Sequence, residues 1–293
     1  MTSPHEWTFR HAEQLTDHWW WRPGWKVGTR FYAWHINTFE DPAPIHRLAA
    51  HYQVELSTVP GLDLIPQQWL HLTMQGVGFV EDLSTAQVDA LLEAARSRLA
   101  EVEPVKVRFQ QPVIRPEAIA LTPDPVEPVQ EVRYAVRAAI ADALGPGEVP
   151  DSAGGYQPHI SLAYVSTPQP AIAALDAINR VTADPVDLTI NAVSLIEMHR
   201  DNRMYEWQTV EAVPLGHSGW LPALVAPRPR SLEPWLSGFD SDRHHARESQ
   251  ESSLLGSELT VILSPWSTTR GTRAATSAGS ATNPGSPRRT GSR

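Results

Sequence analysis

The feature that most constrains the fold of this chain is a pattern of elements that occurs twice within residues 1–216. In each copy an alternating apolar segment predicts a strand, a stretch with apolar residues at helical spacing follows it, and further alternating segments come next. We predict helices over 84–99, 125–144 and 170–180, and strands over 30–39, 71–79, 105–109, 118–121, 156–165, 186–198 and 204–213. We therefore expect an α+β fold of two pseudo-symmetric lobes around a central cleft, each an antiparallel sheet with helices on one face.

The composition changes after about residue 216. Residues 217–293 are dense in Ser, Thr, Gly, Pro and Arg, and from Ser264 onward they contain a single aromatic residue, Trp266. Such a segment cannot bury enough apolar surface to offset the entropy lost on ordering it. We expect one bilobal domain over residues 1–216, followed by a low-complexity, mostly disordered tail over 217–293. Nucleic-acid binding by the tail and an inert extension are both compatible with its composition.

Composition and charge exclude several classes of protein. The 293 residues include no cysteine, which excludes disulfides, thiol nucleophiles and cysteine-ligated zinc. Lys and Arg number 24 against 33 Asp and Glu, which disfavours a protein that grips long duplex nucleic acid. No apolar run approaches the roughly 20 residues of a membrane span, and no basic segment followed by an apolar run opens the sequence. We expect a cytoplasmic monomer with no membrane partner.

A short motif is repeated at the two points where the pattern of elements restarts. The copies are His71-Leu72-Thr73-Met74 and His159-Ile160-Ser161-Leu162. Both have the order histidine, apolar residue, hydroxyl residue, apolar residue. Because side chains alternate between the faces of a strand, each copy offers one imidazole beside one hydroxyl on a single face.

Two histidines and two hydroxyls suit the hydrolysis of a phosphodiester. Histidine titrates near neutral pH, so one imidazole can take a proton from water while the other protonates the leaving oxygen. Thr73 and Ser161 can donate hydrogen bonds to the non-bridging phosphate oxygens, where negative charge grows. This chemistry requires no metal and no cofactor, and we expect neither.

With these motifs the sequence resembles the 2H phosphoesterase superfamily, which includes the 2'-5' RNA ligase-like proteins and the RNA 2',3'-cyclic phosphodiesterases. The resemblance covers residues 25–213 and includes the residues before each motif, Trp69-Leu70 and Gln157-Pro158. It implies two HxTx-type motifs that face a shared cleft, and an RNA terminus or a small cyclic nucleotide as substrate. It also implies that His71 is the general acid and His159 the general base, although the reverse assignment stays open. Family members often carry an arginine where this chain has Tyr164, which leaves the identity of the substrate open.

The aromatic run over residues 18–25 supplies candidate substrate-binding residues. It places four tryptophans around Arg22, and such residues either stack on a nucleobase or pack in the core. We select Trp25 and Arg30 as candidate substrate-binding residues.

Other polar and aromatic residues have two possible placements. His35 and Asn37 share one face of the first strand and lie either in the cleft or on the surface. Tyr156 and Tyr164 fall on the face opposite the second motif unless a bulge intervenes. Three arginines are able to neutralise a phosphate, although nothing in the sequence directs them to one: Arg115, Arg133 and Arg203.

The sequence therefore predicts a metal-independent phosphodiesterase that acts on 2',3'-cyclic or 2'-5' phosphodiester bonds of RNA ends or small nucleotides, with the reverse 2'-5' RNA ligase reaction open to the same site. The alternative is a catalytically silent nucleotide- or RNA-binding module of the same fold. A structural domain in which the motif pair is a coincidence is a third interpretation.

Overall fold

The computed structural model of the chain describes residues 10–150 and 155–216, and the predicted tail over 217–293 lies outside them. The strands are β1 (Gln14–Leu15), β2 (Phe31–Ile36), β3 (Leu62–Leu64), β4 (Leu72–Phe79), β5 (Val105–Phe109), β6 (Val113–Ile114), β7 (Ala118–Leu121), β8 (Ile160–Val165), β9 (Gln169–Pro170), β10 (Val186–Ile190), β11 (Ala192–His199) and β12 (Glu206–Pro214). The helices are α1 (Ala43–Leu56), α2 (Thr85–Ala100), α3 (Glu127–Leu144) and α4 (Ile172–Asn179).

One antiparallel sheet dominates the described part of the chain. Its strand order is β12-β11-β2-β4-β8-β7-β6, and β3 also pairs with β8. Two smaller antiparallel pairs, β1 with β9 and β5 with β10, lie outside this sheet. The mixed α+β class with antiparallel sheets is thus confirmed.

The two motif strands, β4 and β8, are neighbours in the middle of this sheet. They pair at Leu72 and Ile160, which are completely buried. Strand alternation places the motif histidines and hydroxyls on the other face of the sheet. The sheet therefore brings the two copies of the motif side by side.

Helices cover the apolar face of both halves of the sheet. Helices α2 and α3 pack on each other, with α2 against β12 and α3 against β4, while α1 and α4 pack together near β8, β3 and β10. The chain crosses over to build this arrangement, since α1 follows β2 yet packs against β8. Symmetry between the halves and a cleft between them stay predictions.

Local sequence signals explain the ends of the predicted helices. The Ser84 side chain accepts a hydrogen bond from the Gln87 N–H, and the Gln87 side chain binds back to the Ser84 N–H, which forms a capping box at the start of α2. Helix α3 ends at Gly145, whose φ of 105° suits glycine.

Three differences from the predicted elements affect the site. Strand β8 begins at Ile160 and not at residue 156, so residues 156–159 precede the strand without regular secondary structure. The strand predicted over 186–198 is two strands in different sheets, interrupted at Asn191. Helix α1 was not predicted, because its apolar residues follow Pro42 and Pro44 without a side-chain cap.

The fold contains no candidate for a membrane span among the residues that the structure describes. None of their helices is both long enough and apolar enough to cross a bilayer.

Candidate active site

The two motif histidines are anchored in the same way. Nδ1 of His71 lies 2.8 Å from the carbonyl oxygen of Trp69, and Nδ1 of His159 lies 2.8 Å from the carbonyl oxygen of Gln157. A carbonyl oxygen only accepts hydrogen bonds, so in both rings Nδ1 carries the hydrogen and donates it. In the neutral imidazoles Nε2 is then the basic nitrogen, and no hydrogen bond from the described residues occupies it in either ring.

The register between β4 and β8 sets each histidine against the hydroxyl of the other motif. Because Leu72 pairs with Ile160, continuing the antiparallel register by one residue places His71 opposite Ser161 and Thr73 opposite His159. Ser161 is buried, while Thr73 and His159 are partly exposed. The structure thus brings all four predicted catalytic residues together on one face of the sheet.

Burial keeps both imidazoles neutral at pH 7. Burial lowers the pKa of His71 to about 4 against the opposing hydrogen bond to the Trp69 carbonyl, and a protonated His18 would lower it further. Burial also lowers the pKa of His159 to about 3, and the nearby guanidinium of Arg115 lowers it further. An anionic phosphate between the rings would oppose both effects and favour the protonated form of one of them.

His35 is buried beside the motif residues. Of the two positions that the sequence left open for it, the site and the surface, the structure therefore shows the first. It pairs across β2 and β4 with Thr73, and its ring stacks on that of His71 with the centroids 4.3 Å apart. Trp207 of β12 approaches both imidazoles edge-on, at 5.1 Å from the His71 ring and 5.7 Å from the His35 ring. The sequence signal for His35 was its position in a predicted strand, on the face opposite Trp34 and Ile36, but only the strand order shows that this strand lies beside β4.

A bulge in β8 brings Tyr164 to the face that carries the second motif. Ala120 pairs with Ser161 whereas Ile119 pairs with Ala163, so β8 has one extra residue between these two pairs. Beyond this bulge, each side chain of β8 lies on the face opposite to the one that strict alternation predicts. The phenol of Tyr164 interacts with the side chain of Ser161, and burial raises its pKa. Its ring stacks on His18 at 4.2 Å.

His18 links the aromatic run to the site. Its Nε2 lies 3.2 Å from the Tyr205 hydroxyl, and its Nδ1 lies 3.2 Å from a carboxylate oxygen of Glu117. Burial lowers the pKa of His18 to about 4 despite this carboxylate. Glu117 also accepts a hydrogen bond from Arg22 at 3.0 Å, so the run reaches the site through a partly buried polar cluster.

Tyr156 ties the segment before β8 to β4. Its hydroxyl donates a 2.8 Å hydrogen bond to the carbonyl oxygen of Thr73, and the guanidinium of Arg133 lies 4.4 Å from its ring centroid. Arg133 in turn donates to the carbonyl oxygen of Met74. These contacts hold the backbones of the two motifs together.

Of the three arginines selected from the sequence, Arg115 lies beside a motif histidine. Its Nη1 donates to the side-chain oxygen of Gln157 at 2.9 Å, and burial lowers its pKa to about 10. Arg133 binds the backbone of β4, and Arg203 lies at Asp63, 3.5 Å from a carboxylate oxygen.

The candidate substrate-binding residues Trp25 and Arg30 lie near the opposite end of β2 and β4 from the His35–Thr73 pair. Trp25 is buried, and its ring stacks on Phe31, which pairs with Phe79 at the far end of β4. Arg30 forms an ion pair with Asp201 at 3.0 Å. A role for either residue in substrate binding stays a prediction.

The side chains of residues 10–150 and 155–216 form no candidate metal-binding cluster. No group of three or more His, Cys, Asp or Glu side chains there is placed to hold an ion. Independence of metal and cofactor stays a prediction.

Comparison with the profiles of known protein families gives a match. Residues 41–202, which include both motifs, match the profile of the 2'-5' RNA ligase superfamily. The match covers more than half of the chain, so the chain belongs to the 2'-5' RNA ligase superfamily, and its resemblance to the 2H phosphoesterases is confirmed. This membership supports an enzyme of the phosphodiesterase type.

Comparison with solved structures gives several similar chains. TT0787 of Thermus thermophilus is 17% identical with a TM-score of 0.49, and the match covers 65% of this chain and 100% of that one. E. coli LigT complexed with 3'-AMP is 15% identical with a TM-score of 0.47, covering 64% and 98%. A conserved protein of unknown function from Agrobacterium tumefaciens, ATU0111, is 16% identical with a TM-score of 0.42, covering 62% and 85%. A search of curated proteins gives no match.

Proposed function

We propose that this protein is a metal-independent phosphodiesterase that opens 2',3'-cyclic or 2'-5' phosphodiester bonds of RNA ends or small nucleotides. The observation that carries this proposal is the matched pair of anchors, in which each motif histidine donates from Nδ1 to the carbonyl oxygen two residues before it. This arrangement leaves two Nε2 atoms on one face of the sheet for proton transfer.

The reaction follows from one neutral and one protonated imidazole. His159 removes a proton from water, the water oxygen bonds to phosphorus, and the bond from phosphorus to a ribose oxygen breaks. His71 gives its proton to that oxygen, so the products are a phosphomonoester and a free hydroxyl. Thr73 and Ser161 donate to the non-bridging oxygens as their charge grows. Exchanging the two histidine roles gives the same balance. A 2'-5' RNA ligation would use the same two roles with a 5'-hydroxyl in place of water. The base removes the proton of that hydroxyl, its oxygen bonds to the phosphorus of a 2',3'-cyclic phosphate, and the bond to the 3' oxygen breaks as that oxygen takes the proton of the acid.

The decisive experiment measures turnover of 2',3'-cyclic nucleotides and of an RNA that ends in a cyclic phosphate, with EDTA present. The variants are His71→Ala, His159→Ala and their combination, and the matched control is His51→Ala, an exposed histidine of α1. We expect each motif variant to lower kcat by at least about a hundredfold. The control should retain wild-type activity. Turnover that survives in the double variant would contradict the two-histidine mechanism.

A catalytically silent nucleotide- or RNA-binding module is the second candidate. It is favoured by Tyr164, which stands where family members often have an arginine and whose phenol interacts with Ser161. This candidate predicts that the wild-type protein binds nucleoside 2'- or 3'-monophosphates, as measured by calorimetry, and turns over none of the cyclic substrates.

A further inference from the structure

The buried imidazole of His35 has no part in the two-histidine mechanism, yet it touches the two candidate catalytic residues of the first motif, His71 and Thr73. Its ring is only 1% exposed and lies parallel to the ring of His71, with an interplanar angle of 4°. Its Nε2 lies 3.4 Å from Oγ1 of Thr73, its partner across the sheet. The side chain of His35 therefore contacts both a candidate general acid or base and a residue that is a candidate hydrogen-bond donor to the phosphate.

The surroundings of His35 favour its neutral form. Burial, and then the charge of His71, lower the pKa of His35 well below its ordinary value. A neutral imidazole has one N–H and one bare nitrogen, so it donates to one neighbour only. A neutral ring also stacks on a protonated His71 without the repulsion that a second positive charge would bring.

Two buried polar atoms on the other side of His35 lack hydrogen bonds. Nδ1 of His35 has no partner in the described part of the chain, and neither has Oγ of Ser194, which pairs with His35 across β2 and β11. Unpaired polar atoms in a core are costly, and a phenylalanine at position 35 would avoid the cost while filling similar space. An imidazole at this position, where an apolar ring would fit without that cost, points to a role beyond packing.

We propose that His35 is a positioning residue for the hydrolysis, holding the plane of the His71 ring by stacking and donating from Nε2–H to the hydroxyl oxygen of Thr73. This inference rests on the proposed function and adds a residue to it. With its oxygen engaged as acceptor, Thr73 directs its own hydrogen to a phosphate oxygen. In the other tautomer the Thr73 hydrogen would be spent on His35.

The kinetic test separates the ring from its N–H group. His35→Phe keeps a flat ring without a donor, and His35→Gln keeps a donor without a ring. The matched control is His199→Phe, a partly buried histidine of β11 that lies beside Asp201 and Glu206. We expect both His35 variants to lower kcat on the order of tenfold, with KM changed by less than about twofold, because they disturb alignment and not binding. The control should leave kcat unchanged. Equal kcat values for the wild type and both His35 variants, corrected for the folded fraction, would overturn the proposal.

A double-variant cycle distinguishes positioning from a general loss of structure. In a Thr73→Val background, His35→Phe should cost clearly less in kcat than it does in the wild type, because the hydroxyl that it orients is already gone. Strictly multiplicative losses would contradict an action through Thr73.

Imidazole ¹⁵N NMR tests the same inference without turnover. We expect His35 to show the Nε2–H tautomer and His71 the Nδ1–H tautomer, and His35→Gln to shift the His71 ring signals. A His35 spectrum of the Nδ1–H form would overturn the assignment. If the wild-type protein turns over no cyclic phosphate, the proposed function fails, and the NMR result still decides whether His35 orients these two groups.

Discussion

At the scale of single residues, the site fixes the orientation of the two catalytic imidazoles, but it does not by itself supply the protonated imidazole that catalysis needs. The anchors on the Trp69 and Gln157 carbonyls orient both rings, but burial keeps both imidazoles neutral at pH 7. A general acid must carry a proton, and the sequence pattern alone does not specify where it comes from. Since an anion raises the pKa of a nearby histidine, the substrate phosphate itself can supply the charge that favours protonation.

Because a bound phosphate favours the protonated form of a nearby histidine, we predict that the protein takes up protons when it binds a nucleotide. When adenosine 2'-monophosphate binds at pH 7, we expect up to about one proton to enter the site, because a pKa lowered to about 4 or 3 rises towards neutrality beside the phosphate. Calorimetry in two buffers of different ionisation enthalpy measures the number directly. The uptake should be lost in the His71→Ala/His159→Ala variant, and binding enthalpies that are equal in both buffers for the wild type would refute it.

At the scale of elements, the site depends on how residues 155–159 lie against β4. This segment is not part of β8, so ladder hydrogen bonds of that strand do not hold it. The bond from the Tyr156 hydroxyl to the Thr73 carbonyl, together with the stacked guanidinium of Arg133, fastens it instead. The position of His159 relative to Thr73 therefore depends on this phenol together with the hydrogen bond from Arg115 to the Gln157 side chain.

Removing that phenol tests the dependence. Tyr156→Phe leaves the Thr73 carbonyl without this donor, so we expect the free energy of unfolding to fall by about 1 kcal/mol. We also expect kcat to fall severalfold, because the two motifs are less firmly aligned. Urea unfolding and steady-state kinetics measure the two effects. Tyr134→Phe, on an exposed tyrosine of α3, is the matched control. A stability loss without any change in kcat would show that the segment is held in place by other contacts.

The elements that the sequence predicted are those whose signals are local. Helix α2 has its capping serine and apolar spacing, and α3 has its terminal glycine, so both were found with nearly correct ends. The pairing of β4 with β8 and the bulge in β8 arise from contacts between distant segments. For this reason the sequence identified the four motif residues as candidates. The positions of His35 beside His71 and of Tyr164 beside Ser161 could be seen only in the structure.

At the scale of the whole molecule, several buried neutral histidines make the fold sensitive to acid. Burial lowers the folded-state pKa of His18, His71 and His159 to between about 3 and 4, and that of His35 well below 6.5. An unfolded chain binds these protons near pH 6.5, so the unfolded state carries more protons than the native state between about pH 6.5 and 4. Stability must then rise with pH across this window and level off above it.

The measurement is urea unfolding at pH 7.5 and pH 5. We expect the free energy of unfolding to be lower at pH 5 by on the order of 2 kcal/mol for each histidine that stays neutral in the native state. A His18→Gln variant removes one such group and should show a smaller pH dependence. Equal stability of the wild-type protein at the two pH values would contradict the low pKa values.

The extent of the folded unit is a second prediction at this scale. The backbone N–H of Gly216 donates to the carbonyl oxygen of Leu99, and Leu215 is fully buried, so a chain that ends at residue 216 keeps these contacts. We propose that residues 1–216 fold and act alone. Deletion of 217–293 should leave the melting temperature and the turnover of cyclic nucleotides unchanged, and a truncated protein that aggregates or melts early would refute it.

The carbonyl anchors have a consequence for how this site tolerates change. In many hydrolases a carboxylate side chain fixes the tautomer of the catalytic histidine, and a single substitution of that carboxylate leaves the histidine in the wrong tautomer. Here the acceptors belong to the main chain at positions 69 and 157, and every amino acid supplies the same carbonyl oxygen. A substitution at either position therefore keeps the carbonyl acceptor that orients the imidazole, and it affects the site only through the other contacts of the lost side chain, which are Arg115 for Gln157 and Trp207 for Trp69.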